Sequence, residues 1–147
     1  MTYLLATYGL FLLALQLGRR AAASRQVYGV LLFLLFVFSA FRFEVGCDWS
    51  GYFFQYLGAG NRPPSLVTDA REPLWWGILY LLNTQSIPYP VANVIASAIF
   101  FGGVHVLARR QPNPLAFLVL LFPILIINMP MSGIRQGAAV GLLCVAL

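Results

Sequence analysis

Three short stretches of an otherwise apolar chain carry side chains able to do chemistry. The first, residues 42–52, holds Arg42, Glu44, Asp48 and Tyr52. The planar fork of an arginine donates two parallel, charge-assisted hydrogen bonds, which suits a phosphate or diphosphate. A carboxylate beside it can orient or deprotonate a hydroxyl, that of a sugar included. Tyrosine and tryptophan rings there can stack on sugar rings or lie against lipid. The same stretch also reads as an ordinary interfacial loop whose charges compensate one another. The second stretch is Asp69-Ala70-Arg71-Glu72-Pro73, followed by the aromatic pair Trp75 and Trp76. An acid just before a helix favours the helix dipole, so Glu72 has a structural role open to it as well as a catalytic one. The third stretch, Ser132-Gly133-Ile134-Arg135-Gln136-Gly137, opens an apolar run. Arg135 there either snorkels as an anchor or faces an aqueous cavity.

Other chemistry-bearing residues read as structural. His105 is the only histidine and falls inside an apolar run, far from the three stretches. The two cysteines, Cys47 and Cys144, lie one in a loop and one in an apolar run, which disfavours a disulfide. With no histidine beside them they form no metal site. Gly133, Gly137 and Gly141 recur at four-residue spacing, a smooth stripe suited to close helix packing. P-loop, Rossmann, HExxH and nucleophile-elbow patterns are all missing.

The elements that must carry these residues are membrane spans. Of the 147 residues, 61% are hydrophobic and 9% charged, and the mean hydropathy is +0.83. A soluble domain carries about a quarter charged residues, far more than this chain has to solvate a surface. The expected class is all-α: a single polytopic membrane domain over residues 1–147, with about five transmembrane helices. Apolar runs place the spans at about 2–17, 26–41, 90–108, 115–129 and 132–147, with an outer loop at 42–89. The fourth is expected to kink at Pro123. The run 74–82 is too short to cross, and it reads as an interfacial or re-entrant helix starting at Pro73. No basic residue precedes Arg19, which disfavours a cleaved signal peptide. The chain stops at Leu147 inside an apolar run, so it is expected to be the N-terminal part of a longer protein. A natural short protein with a just-sufficient last helix is the other reading.

All nine basic residues are arginines. Arg19, Arg20 and Arg25 fall between spans one and two, and Arg109 and Arg110 between spans three and four. With 74–82 not crossing, both loops lie on one side, which the positive-inside rule assigns to the cytoplasm. The N-terminus and the 42–89 loop are then outside, and that loop holds all four acidic residues. The net charge of +5 is not gathered into one patch, so nucleic acid is not an expected partner.

Taken in order, the three stretches resemble the EpsG-like family of bacterial exopolysaccharide membrane proteins, which are Wzy-type polysaccharide polymerases. The residues that carry the resemblance are Arg42, Val45-Gly46, Asp48 and Tyr52, then Glu72-Pro73 with Leu81-Leu82-Asn83 beyond them. Last come Ile134-Arg135-Gln136 and Ala138-Ala139. The resemblance covers essentially the whole chain and about the first half of a typical family member. Cys47 stands where a small hydroxyl residue is common, and Trp75-Trp76 where a Gly-aromatic pair is usual.

The resemblance implies polymerisation of lipid-diphosphate-linked oligosaccharide units at the outer face of the bacterial cytoplasmic membrane. It implies an undecaprenyl diphosphate-linked substrate, contact with other polysaccharide-assembly membrane proteins, and no metal or cofactor. Arg42 and Arg135 are then expected on the diphosphate, Asp48 or Glu72 as base for the attacking hydroxyl, and Tyr52 and Gln136 on the glycan. Two other classes compete. A transporter or flippase for lipid-linked glycans would place ionisable groups or broken helices near mid-membrane. A truncated, non-catalytic remnant would only contact partners.

Overall fold

The computed structural model describes residues 2–17, 21–42, 48–61, 72–123 and 133–147. Among them the chain is all-helical, with seven helices and no strand. These are α1 (Thr2–Leu17), α2 (Ala21–Ala40), α3 (Trp49–Ala59), α4 (Pro73–Thr84), α5 (Pro90–Arg109), α6 (Pro114–Leu121) and α7 (Ile134–Ala146). Of the chemical residues, Glu44, Cys47, Asp69 and Arg71 lie outside the described set, as does most of the expected fourth span beyond Pro123.

Helix lengths follow from the punctuation in the sequence. Proline stands at the first turn of α4, α5 and α6, where its missing N–H is no loss. The Asn113 side chain caps α6 by accepting from the Ala116 N–H at 3.1 Å. Both α2 and α5 run 20 residues, about 30 Å at 1.5 Å per residue, the thickness of a bilayer core. They are the two described helices long and apolar enough to cross a membrane. The count of five spans is therefore not confirmed among the described residues. α1 has 16 residues, α7 has 13 and α6 has 8, or roughly 24, 20 and 12 Å. α1 keeps its expected bounds, and the expected fourth span continues past Pro123 outside the described residues. α2 departs from its expected bounds, starting five residues before the expected Gln26, because Ala21-Ala22-Ala23-Ser24-Arg25 continues the helix with good formers.

A second correction concerns the 42–89 loop, which contains α3 as well as the expected α4. Trp49, Tyr52, Phe53 and Tyr56 repeat at helical spacing, and the described structure packs all four into one aromatic cluster with Trp75 and Tyr89. The Tyr56 hydroxyl donates to the Ile87 carbonyl at 2.7 Å, and the Asn83 amide donates to the Tyr56 carbonyl at 3.0 Å. These bonds tie α3 to the α4–α5 turn and so hold Tyr89 in place.

α5 is the axis of the bundle and packs against α2, α4, α6 and, most extensively, α7. Two hydrogen bonds set an antiparallel register with α2: Ser39 Oγ to Ser97 Oγ at 3.0 Å, and Tyr28 hydroxyl to His105 Nδ1 at 2.9 Å. This register brings Arg25 and Arg109 to one end of the pair and Arg42 to the other. His105 stacks on Tyr28 at the Arg109 end, as the structural reading expects. The glycine stripe of α7 packs on α5. Gly137 and Gly141 are buried, and a Cβ on Gly103 would overlap the Gly141 backbone. Opposite this core, α2 exposes Val30, Phe33, Leu34, Phe38 and Phe41 along one side. So long an apolar face is costly in water and natural against lipid.

Candidate functional site

Helix ends gather at the Arg42 end of the bundle. Arg42 follows α2, Tyr52 lies in the first turn of α3, and Glu72 immediately precedes α4. Tyr89 precedes α5, and Arg135 is the second residue of α7. Each position is one a helix terminus dictates, so five separate backbone starts and stops aim side chains at one place.

Tyr52 is the hub. It is buried, and its ring meets Trp75 edge-on at 5.5 Å. The Arg135 guanidinium lies over the Tyr52 ring, 5.3 Å from its centroid. Arg135 Nη1 donates to Glu72 Oε2 in a charge-assisted pair, while its Nε is buried with no partner. The two side chains are 32% and 46% exposed, so the pair contributes little to stability. Its value lies in holding the guanidinium at a fixed angle with an unused donor.

Arg42 lies within electrostatic reach of both Tyr52 and Tyr89. Its Nε and Nη1 are buried without partners. Burial pulls its pKa down from the usual arginine range, and the Tyr89 and Tyr52 phenols oppose the shift. Tyr89 is 2% exposed and its hydroxyl has no partner. Burial pushes its pKa up to about 12, with the Arg42 charge acting against that rise. A guanidinium with two buried, unused donors carries a desolvation cost that an incoming anion relieves.

The structure thus brings together Arg42, Tyr52, Glu72 and Arg135. Asp48 stands apart: it is exposed at the N-terminus of α3, with no side-chain cap bond. Among the described residues it makes no ion pair with either arginine. Gln136 is exposed and faces a groove between α4 and α7. The groove has a volume of about 620 Å³, within the range of small-molecule sites. Glu72, Arg135 and Gln136 form its polar end, and Ile78, Ile99 and Leu142 lie along its apolar length. Among the described residues no three metal-ligating side chains cluster.

Two residues escaped the sequence reading. Tyr89 was hidden in a Pro-Tyr-Pro turn that reads as connector. Asn93 is 1% exposed on α5, with both amide atoms unpartnered. A polar side chain inside an apolar span was the available signal.

The fold and the exposed apolar faces define an all-helical membrane protein with a cationic site at one end of its bundle. Within that class, the EpsG family model matches residues 26–147, and the chain belongs to the EpsG family. No curated protein and no solved structure matches it.

Proposed function

We propose that this chain acts in exopolysaccharide biosynthesis, polymerising lipid-diphosphate-linked oligosaccharide units at the outer face of the bacterial cytoplasmic membrane. One observation carries the reading: Arg42 and Arg135 both interact with Tyr52, and Arg135 stands at the polar end of an apolar groove. A ligand with an anionic head and a long apolar tail matches that arrangement. The tail lies along Ile78, Ile99 and Leu142, and the diphosphate meets the guanidinium donors. Undecaprenyl diphosphate carrying a glycan has this shape.

In the reaction, a hydroxyl of the acceptor unit attacks the anomeric carbon of the donor. The new glycosidic C–O bond forms as the anomeric carbon–diphosphate bond breaks, and the lipid diphosphate leaves with the bonding pair. Positive charge aimed at the leaving group lowers the barrier because negative charge grows there. Arg42 and Arg135 supply that charge from fixed positions. A carboxylate takes the proton of the hydroxyl. We assign this role to Glu72 because it pairs with Arg135, whereas Asp48 makes no ion pair among the described residues. Gln136 is the polar contact for the glycan at the groove end, and Tyr52 orients Arg135.

Deleting the gene is expected to accumulate single lipid-linked repeat units in the outer leaflet. Accumulation confined to the cytoplasmic leaflet would instead mark a flippase. Arg42→Lys is expected to abolish polymer while the protein still inserts, since an ammonium cannot reproduce the two-point fork. Polymer of normal length from that variant sinks the assignment.

A further inference from the structure

Asn93 is the most deeply placed polar group that the proposed reaction leaves unused. It is 1% exposed, and neither its Oδ1 nor its Nδ2 has a partner. Burying an amide without hydrogen bonds is costly, so such a group marks either a structural defect or a ligand contact. Its neighbours favour the second. Tyr89, one helical turn earlier on α5, also buries an unpartnered hydroxyl. One turn later, Ser97 is satisfied by Ser39 of α2. Arg42, which follows α2, lies close enough to the Tyr89 phenol to interact with it electrostatically, and it adds two more unused donors. Unsatisfied groups from the end of α2 and the start of α5 thus adjoin through Tyr89, one turn before the satisfied Ser97–Ser39 pair. Aromatic rings border the same spot: Trp49, Phe53 and Tyr56 all pack against Tyr89, with ring centroids within 6.0 Å.

We propose that Asn93 and Tyr89, with Arg42, form a receptor for a vicinal diol on the sugar attached to the diphosphate. The inference rests on the diphosphate reading of Arg42. A side-chain amide offers one acceptor and one donor side by side. Two adjacent ring hydroxyls match it, one donating to Oδ1 and the other accepting from Nδ2. The Tyr89 hydroxyl, able to donate or accept, takes a further ring oxygen. The neighbouring rings suit the apolar C–H face of a pyranose. The half-buried Arg42 guanidinium joins this receptor to the diphosphate, so a sugar linked to that diphosphate is within its reach. Asn93 then sets which sugar the site accepts.

The test compares binding of three probes to the full chain in detergent: polyprenyl diphosphate, polyprenyl diphosphate glucose, and the 3-deoxyglucose analogue of the latter. The glucose form is expected to bind at least about tenfold more tightly than the deoxy form, because a hydrogen bond lost to a buried partner strands that partner. Asn93→Leu is expected to remove this preference while leaving bare polyprenyl diphosphate binding unchanged. Should Asn93→Leu misfold, Tyr89→Phe removes one hydroxyl only and is expected to reduce the gain from the sugar. If the wild type binds bare polyprenyl diphosphate but gains nothing from the sugar hydroxyl, the receptor is overturned and the diphosphate site stands. A preference that survives in Asn93→Leu overturns it too. Failure to bind bare polyprenyl diphosphate overturns both readings.

Discussion

Replacing Gly103 with alanine puts a methyl group where the backbone of Gly141 already lies. The contact is reciprocal, because a Cβ on Gly141 would overlap the backbone of Ile99 and Phe100. Backbone on both sides leaves no flexible side chain to yield, so α5 and α7 must separate. Gly102, its neighbour, is exposed and would meet nothing within 4 Å. Alanine in an open helical site gains about 0.8–1 kcal/mol from lower backbone entropy in the unfolded chain. At Gly103 the same gain is set against overpacking of about 1–3 kcal/mol or more. The adjacent variants should thus differ by about 1–3 kcal/mol, roughly 2–12 °C in melting temperature for a domain of this size. Thermal unfolding of both variants in one detergent measures that difference. The separation has a functional consequence, since α7 carries Arg135 and Gln136 towards Glu72 and Tyr52. Gly103→Ala is therefore expected to shorten or abolish polymer, and Gly102→Ala to leave it unchanged. Gly103→Ala melting at or above Gly102→Ala would refute the close approach of the two helices.

Glu72→Gln is expected to change stability by less than about 1 kcal/mol, because the Arg135 pair is half-exposed. The same variant should abolish polymer, and retention of full polymer length would remove Glu72 from the base role. The neutral Tyr89 phenol is favoured in the folded chain, its pKa raised to about 12 by burial. Its unfolded counterpart ionises near 10, the usual value for tyrosine. The unfolded state then binds fewer protons above pH 10, so stability should fall between pH 10 and 12. Tyr89→Phe should lessen that fall, and an identical pH profile would refute the assignment. His105→Phe should cost about 1 kcal/mol through the lost Tyr28 bond. Polymer length should not respond, and a response would bring His105 into the reaction.

Hydropathy alone revealed the membrane character, because an apolar run must be buried in core or lipid whatever its neighbours are. The positions of α2, α4 and α5 followed from it closely, helped by Pro73 and Pro90 at first turns. α3 was missed because its glycines and serine masked an aromatic repeat at positions 49, 52, 53 and 56. Hydropathy placed α1 at its observed bounds but started α2 five residues late, because it records where lipid is tolerated, not where backbone hydrogen bonds begin. Arg42 and Arg135 stood out as candidates in the sequence because charges are few.

Which residues meet was decided by tertiary structure. The α7 glycine stripe was visible, but its partner Gly103 needed the α5–α7 pairing to be known. Glu72 and Arg135 are 63 residues apart, and nothing local links them. Asp48 and Glu72 both stand exposed at helix starts, and only the fold shows that Glu72 pairs with Arg135. Asn93 and Tyr89 became conspicuous only once burial and missing partners could be examined. A sequence specifies the solvent each segment prefers and the helices it can form. Close approach, pairing and orphaned donors are relations between segments, and packing is what sets them.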